Sequence, residues 1–477
     1  MASDHSHTAY GWHASVPSGP PPTPGEGGQA MYRSRSAAIA ACTAFMLAIA
    51  GCGSTGDTPE DIPAGPVRLY GSDGNMINSF GEAFKDQAGV LAGMKGTTPL
   101  TPLSDDFKER LRSIDANLGD YIYSGESYDA VVISALASQL AGSTAPSEIA
   151  KYINGVTTEG ERCDTAKDCL TLARAGKDIE YRGVSLKRGG FTDAGEPSTA
   201  SYATLHFGSS DRLDDGKTEF VGAGDESSTT TKPAPAARPA DGGGDAQSGA
   251  PLKIGGLLPQ TGDLALANPP LAAGTALAIR DINAAGGVLG KPVEWIDGDD
   301  GTNPEKAKQT VASHVNAGVH VIIGAGASGI SRAVLPDVVN AGLILFSPCN
   351  TDAGLSEIDD KGLYFRTAPS DLLQGKALAD VILRDGPQHI AIVARKDSYG
   401  QGLQDNVRAE LEKAGVNAAN IKLLTYDPPE DPAAPLDFSG GAKEIKDFKA
   451  DAVLVIGFGE SANVIKALVA AGVELRH

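Results

Sequence analysis

Val67-Arg-Leu-Tyr70 reads as a buried strand with no helix before it, and Ala452-Val-Leu-Val-Ile-Gly457 as a strand whose following helix runs out at Gly472. Neighbouring parallel strands need a crossover between them, usually a helix. In chain order, residues 67–222 therefore look like the back of an α/β domain without its front. Residues 252–477, which open on the strand Lys253-Ile-Gly-Gly-Leu-Leu258, look like one without its back. Placing the second piece first joins the two into one continuous strand–helix series. The cut then falls in a helix-to-strand loop, on the face opposite the strand carboxyl ends, where chains tolerate breaks.

Outward from these strands the alternation is regular. A helix begins near Pro269-Pro270, carries Leu271, Ala278 and Ile282 at helical spacing and stops at Gly286-Gly287. Further strands are expected at Val293–Asp297, Val319–Gly324, Leu343–Ser347, Ile390–Ala394, Ile421–Thr425 and Ala452–Gly457, with helices near Asp105–Asp115 and Ser127–Ala141. Apolar strands alternating with amphipathic helices predict an α/β fold with parallel sheets covered on both faces. Gly222–Ala250 breaks the pattern with Ser-Ser-Thr-Thr-Thr, Lys-Pro-Ala-Pro-Ala-Ala-Arg-Pro and Asp-Gly-Gly-Gly-Asp. That composition cannot bury a core and predicts a flexible connector, able to span roughly 90 Å when extended.

The 477 residues suggest two or three folding units, and 41% hydrophobic residues suffice for real cores. A net charge of −20 repels polyphosphate and argues against nucleic-acid binding. Arg33 and Arg35 precede an apolar run, Ala37–Ala50, that ends in Ile49-Ala50-Gly51-Cys52. A charged start, a short apolar stretch and a small-residue end make a secretory signal, and the run is shorter than the ~20 residues of a membrane span. The Gly-Cys ending resembles a bacterial lipobox, which would make Cys52 a lipidated first residue. An ordinary signal with an incidental Cys, or a signal anchor, is the alternative. Met31 is an alternative start to Met1, and residues 1–30 fit no signal pattern. Of the five cysteines, Cys42 lies inside this run. Cys163 and Cys169 can close a small disulfide loop outside the cytoplasm, contributing roughly 2 kcal/mol, and a zinc reading lacks further ligands. Cys349 is left over.

Ligands of doubly wound sheets bind beyond the strand carboxyl ends. After Val321-Ile-Ile-Gly324 comes Ala-Gly-Ala-Ser328, and the neighbouring strand ends in Ser347-Pro-Cys-Asn-Thr351. The glycines 324, 326 and 329 satisfy a dinucleotide fingerprint, but no ribose-binding acid ends the next strand. Small-residue loops at helix starts can also hold a carboxylate, or be plain tight turns. Tyr399, in Asp397-Ser-Tyr399-Gly, and Phe458 can be cleft walls or packing residues. Asp73, in Tyr70-Gly-Ser-Asp73-Gly-Asn75, can be a ligand or a turn residue.

Taken together, several stretches resemble the branched-chain amino-acid-binding family of solute-binding proteins for ABC transporters. They are Gly255-Gly-Leu-Leu-Pro-Gln-Thr-Gly262, Ile282-Asn-Ala-Ala-Gly-Gly-Val-Leu-Gly290, Phe346-Ser-Pro-Cys-Asn-Thr351 and Tyr364-Phe-Arg-Thr-Ala-Pro-Ser370. Asp397-Ser-Tyr-Gly400, Tyr70-Gly-Ser-Asp-Gly-Asn75 and Ser127-Tyr-Asp-Ala130 add to the match, which covers most of 67–222 and 251–477.

The resemblance implies a two-lobed type I periplasmic-binding-protein fold, each lobe a doubly wound parallel sheet, in circularly permuted order. Three hinge crossovers are implied near Thr367–Asp371, Lys95–Thr98 and Arg182–Ser185. Lobe 1 would comprise 98–184 and 251–369, and lobe 2 would comprise 67–97, 185–222 and 370–477. Residues 31–51 would be the signal, 52–66 a tether and 223–250 the linker. Ser328, Asn350 and Thr351 would hold an α-carboxylate, Asp73 the ammonium, and Tyr399 and Phe458 would flank the ligand. Cys349 and Phe458 depart from the small residue and the hydroxyl common there, which bears on specificity. The implied protein is a non-enzymatic, monomeric receptor without metal or cofactor. It would be lipid-anchored on the outer face of the cell membrane and would deliver an amino acid to an ABC permease. A sensory module of the same fold, for an amide or small carboxylate, is the alternative. An assembly accident joining neighbouring homologous genes is the alternative to a natural permutation.

Overall fold

A computed structural model describes residues 66–238, 250–429 and 434–476. The expected signal, Cys42, the Cys52 anchor and the tether up to residue 65 lie outside the described residues.

In chain order the strands begin with β1 (Arg68–Gly71), β2 (Lys95–Pro99), β3 (Glu161–Cys163), β4 (Ile179–Tyr181), β5 (Thr199–His206) and β6 (Glu219–Gly224). They continue with β7 (Lys253–Leu257), β8 (Glu294–Ile296), β9 (Val321–Gly324), β10 (Ile344–Ser347) and β11 (Tyr364–Arg366). The last are β12 (Ile390–Arg395), β13 (Ile421–Tyr426) and β14 (Ala452–Ile456). The helices are α1 (Asp105–Arg112), α2 (Ser124–Ala141), α3 (Pro146–Ile153), α4 (Ala166–Arg174), α5 (Asn268–Ala284) and α6 (Pro304–Ala317). They are followed by α7 (Ser328–Asn340), α8 (Asp371–Leu383), α9 (Ser398–Lys413), α10 (Ser439–Asp447) and α11 (Ala462–Ala470).

Two sheets define two lobes. Lobe 1 has five strands in the order β11-β10-β9-β7-β8, all parallel, and lobe 2 has seven in the order β13-β12-β14-β1-β2-β5-β6. The decisive pairing is β1 with β14, parallel, from Arg68 opposite Ala452 to Gly71 opposite Val455. The Val67 N–H donates to Glu474 O at 2.7 Å and Val67 O accepts from Arg476 N–H at 2.8 Å, which extends the seam. Every residue of β14 is buried, as a strand covered on both faces by helices requires. Lobe 2 departs from the expected all-parallel sheet at one side, where β5 runs antiparallel to β2 and β6 antiparallel to β5. A hairpin needs no crossover helix, so the strand–helix alternation gave no sign of it.

The two pieces of chain also meet inside lobe 1. All residues of α2 are buried, and α5 crosses it so closely that a Cβ on Gly274 would stand 2.2 Å from Ser124 O. Such contact requires glycine. The core of lobe 1 mixes Val131, Leu136 and Tyr181 of one piece with Leu277, Ile323 and Phe346 of the other. Cys163 and Cys169 are disulfide-bonded, with Cα atoms 5.4 Å apart, and tie β3 to α4.

The chain crosses between lobes after β2, between β4 and β5, and between β11 and α8. The first crossing follows residues 95–98, which the structure places in β2, paired with β5. The expected connector also starts later than its composition suggests. Residues 219–224 form β6, Thr230 N–H donates to Phe191 O (2.8 Å), Tyr152 Oη to Ala236 O (3.0 Å) and Arg238 N–H to Leu140 O (2.9 Å). This stretch is tied to lobe 1 at Thr230, Ala236 and Arg238.

Because the lobe 2 sheet and the cores of both lobes draw on both pieces, residues 66–238 and 250–477 produced separately are expected to lack a cooperative melt and to regain one when refolded together. Circular dichroism melts of each piece and of the mixture check this, and a cooperative transition in either piece alone would overturn it.

Candidate functional site

The strand ends of the two lobes face each other across one pocket, lined by Asp73, Gly74, Tyr123, Leu264, Ala267, Gly326, Ala327, Ser328, Cys349, Thr351, Tyr399 and Phe458. Five of the six residues singled out for ligand contact thus share one pocket.

The lobe 1 wall is a loop whose polar groups are nearly all committed. Asp300 Oδ2 accepts from Gly326 N–H at 2.9 Å, and burial pushes this carboxyl up to about 7. Ser331 Oγ accepts from Ala325 N–H (3.1 Å), and Ser347 Oγ donates to Ala325 O (2.8 Å). Asn350, expected to hold a carboxylate, does not line the pocket. Its amide donates to Ala325 O (3.1 Å) and Gly326 O (3.0 Å), and its Oδ1 accepts from Tyr364 Oη (3.1 Å). An amide supplies two donors and an acceptor, and all are used in holding the loop. Behind it the buried Arg366 donates to Asn350 O (3.3 Å) and Asp352 O (2.8 Å) and pairs with Glu196.

What this wall leaves open is the start of α7, which has no side-chain cap. Ser328 Oγ accepts from the N–H groups of Thr351 (3.2 Å) and Asp352 (3.3 Å), so its own proton is free to donate into the pocket. Unmet N–H groups and a hydroxyl at a helix N-terminus form an anion site.

The lobe 2 wall carries the opposite charge. Asp73 accepts at Oδ2 from Tyr123 Oη (2.7 Å) and at Oδ1 from Tyr399 Oη (2.7 Å) and the Gln374 amide (2.8 Å). Burial raises its pKa, while the bonds from Tyr123, Tyr399 and Gln374 pull it back down. Nearby, the buried Asp371 opens α8 with no hydrogen-bond partner on either carboxyl oxygen among the described residues. Burial first, and the Asp73 charge second, push it well up, which favours a neutral acid. Tyr399 stacks on Phe458, with ring centroids 5.3 Å apart and planes 16° from parallel. Leu264, Ala267 and the buried Cys349 complete an apolar side.

Tyr123 and Gln374 were not foreseen. Tyr123 sits at φ 57°, a left-handed conformation costly for a bulky residue, and only the fold brings it to Asp73. Among the described residues no group of three or more His, Cys, Asp or Glu could hold a metal ion.

Comparison with known proteins follows the same lines. The family described as "Periplasmic binding protein" matches residues 251–477. A Leu/Ile/Val-binding protein homolog 3 of Brucella melitensis is 27% identical over 212 residues, 44% of this chain and 55% of that protein. A Leu/Ile/Val/Thr-binding protein of Salmonella typhimurium is 31% identical over 203 residues, 42% of this chain and 53% of that protein. The chain thus spans about half the length of these curated relatives. Among solved structures, the branched-chain amino acid transporter substrate-binding protein LivJ of Streptococcus pneumoniae, in complex with isoleucine, is 24% identical. Its TM-score is 0.41, over 47% of this chain and 63% of that one.

Asn350→Ala is expected to lower stability by about 1–3 kcal/mol, because the buried Gly326 O and the Tyr364 hydroxyl lose their Asn350 partner and Ala325 O keeps only Ser347 Oγ. A urea titration reads this, and an unchanged midpoint would remove Asn350 from its place as the loop's brace.

Proposed function

We propose, starting from residues 251–477 as a member segment of the periplasmic binding protein family, that this chain is a solute receptor that captures a branched-chain or related amino acid between its two lobes and delivers it to an ABC permease. The observation that carries the reading is the opposition of charge across one pocket. The uncapped start of α7 and the Ser328 hydroxyl meet an anion from lobe 1, and the Asp73 carboxylate meets a cation from lobe 2. A zwitterion satisfies both only when the lobes are together, so it favours the closed arrangement by its differential contacts. Leu264, Ala267, Cys349 and the Tyr399–Phe458 face offer an apolar seat for an aliphatic side chain. Leu/Ile/Val binding by the curated relatives supports the ligand class.

Extracytoplasmic placement, with Cys52 as lipid anchor, rests on the Arg33–Cys52 pattern, and the Cys163–Cys169 disulfide suits an oxidising compartment. The parallel pairing of β1 with β14 supports a circularly permuted order, in which 222–250 bridges the ends that an unpermuted chain would leave free. Asp73, Tyr399 and Phe458 then come from lobe 2, Ser328 and Thr351 from lobe 1, and the receptor acts as a monomer.

Calorimetric titration with L-leucine, L-isoleucine and L-valine tests this. At least one should bind, and Asp73→Asn should weaken it by roughly ten- to a hundredfold, the worth of one charge-assisted hydrogen bond. Binding by none of them, nor by other amino acids or their amides, ends the amino-acid assignment.

A further inference from the structure

Behind the aromatic face of the pocket lies a charge cluster that the solute reading does not use. The Arg395 guanidinium stands 4.1 Å over the Phe458 ring, on the ring that stacks against Tyr399. It is buried, with Nε 2.5 Å from Asp397 Oδ2 and Nη1 2.7 Å from Glu460 Oε1. Glu460 Oε1 also accepts from Tyr426 Oη (2.7 Å) and Phe458 N–H (3.2 Å). All of these belong to lobe 2. Among the described residues, the charged side chain that reaches them from lobe 1 is Asp263, whose Oδ2 lies 3.5 Å from Arg395 Nη1 and whose backbone O accepts from Gly459 N–H at 3.0 Å.

Two carboxylates already neutralise Arg395 before Asp263 arrives. Bringing the lobes together therefore adds a third carboxylate to a cluster with a single cation. The attraction to Arg395 is partly offset by repulsion from Glu460 and Asp397, in a site with little water. Resting on the two-lobed receptor reading above, we propose that Arg395 is the positioning residue that ties the aromatic wall of the pocket to lobe closure through Asp263, and that protons favour closure at this contact.

The groups facing Asp263 are Arg395, Glu460 and Asp397, with Tyr426 behind Arg395. Burial, then Glu460, push Asp263 up to about 6, against an ordinary 3.8, with Arg395 pulling the other way. Burial works against the charge on Arg395, and Glu460 and Asp397 more than offset it, so the guanidinium stays protonated. A carboxyl raised in the closed arrangement binds its proton more tightly there than in the open one. Closure therefore gains as pH falls through about 6 towards the ordinary value, and loses that gain as pH rises through it. Asp73 has the opposite linkage to an ammonium ligand, since a proton on it competes with the ligand. The test is therefore made without ligand.

Energy transfer between dyes placed on exposed positions of the two lobes reads the closed-to-open ratio. In the full chain this ratio should rise about three- to tenfold between about pH 7.5 and pH 5, as a carboxyl bound more tightly in the closed arrangement takes up its proton. Asp263→Asn should be more closed than the natural protein at the higher pH and should lose most of the response. Arg395→Lys keeps the charge but loses the fork and the flat face on Phe458, and should open the lobes at both pH values. A lobe distance that ignores pH, an Asp263→Asn protein with the natural response, or an Arg395→Lys protein that closes normally would each overturn the proposal. A chain that closes on acidification yet binds none of the amino acids above sinks the solute reading and leaves this contact standing.

Discussion

The arrangement depends on how α2 holds the chain crossings. Asp129, fully buried in that helix, accepts from Tyr181 Oη (2.7 Å), from the N–H groups of Val184 (2.9 Å) and Ser185 (2.7 Å), and from Ser185 Oγ (2.7 Å). One turn earlier, Glu126 O accepts from Thr367 Oγ1 at 2.8 Å, and Thr101 Oγ1 donates to Ser185 O at 3.2 Å. The three segments that pass between lobes are thus gathered at one helix start. Burial raises the Asp129 pKa, and only this set of donors makes a carboxylate tolerable there. Each donor left unpaired would cost about 1–3 kcal/mol. The crossings are therefore held together at this helix start.

That constraint explains why the pocket can be built from loops so far apart in sequence. The strand carboxyl ends of both sheets are turned towards one another. Each loop is then locked from behind: Asn350, Asp300 and Arg366 brace the lobe 1 wall, and Asn75, which donates to Val455 O at 2.9 Å, braces the Asp73 turn. The residues that face the pocket keep a free proton or a charge because their neighbours absorb the backbone groups.

Much of the fold was legible along the chain. The strands at 343–347, 390–394 and 452–457 are nearly continuous apolar runs, and parallel strands buried on both faces are written that way. Elements without that signature were not legible. The β5–β6 hairpin is one; the short β3 and β4 are another, with an exposed and an alternating residue pattern. Residues 223–238 read as a connector because proline and alanine carry no periodicity, yet Thr230, Ala236 and Arg238 are hydrogen-bonded to lobe 1.

At the pocket, the sequence determined which loops to examine, since ligand loops follow strand ends and small residues there leave N–H groups open. Ser328, Thr351, Asp73, Tyr399 and Phe458 could be singled out on that basis with the family resemblance. Only the tertiary structure decided that Asn350 turns inward to hold carbonyls, that Tyr123 and Gln374 share the Asp73 carboxylate, and that Arg395 meets Asp263 across the lobes. The reason is physical. Strand and helix patterns are local and periodic, whereas a hydrogen-bond partner is chosen by proximity in space, and here the partners come from opposite ends of the chain and opposite sides of a cleft.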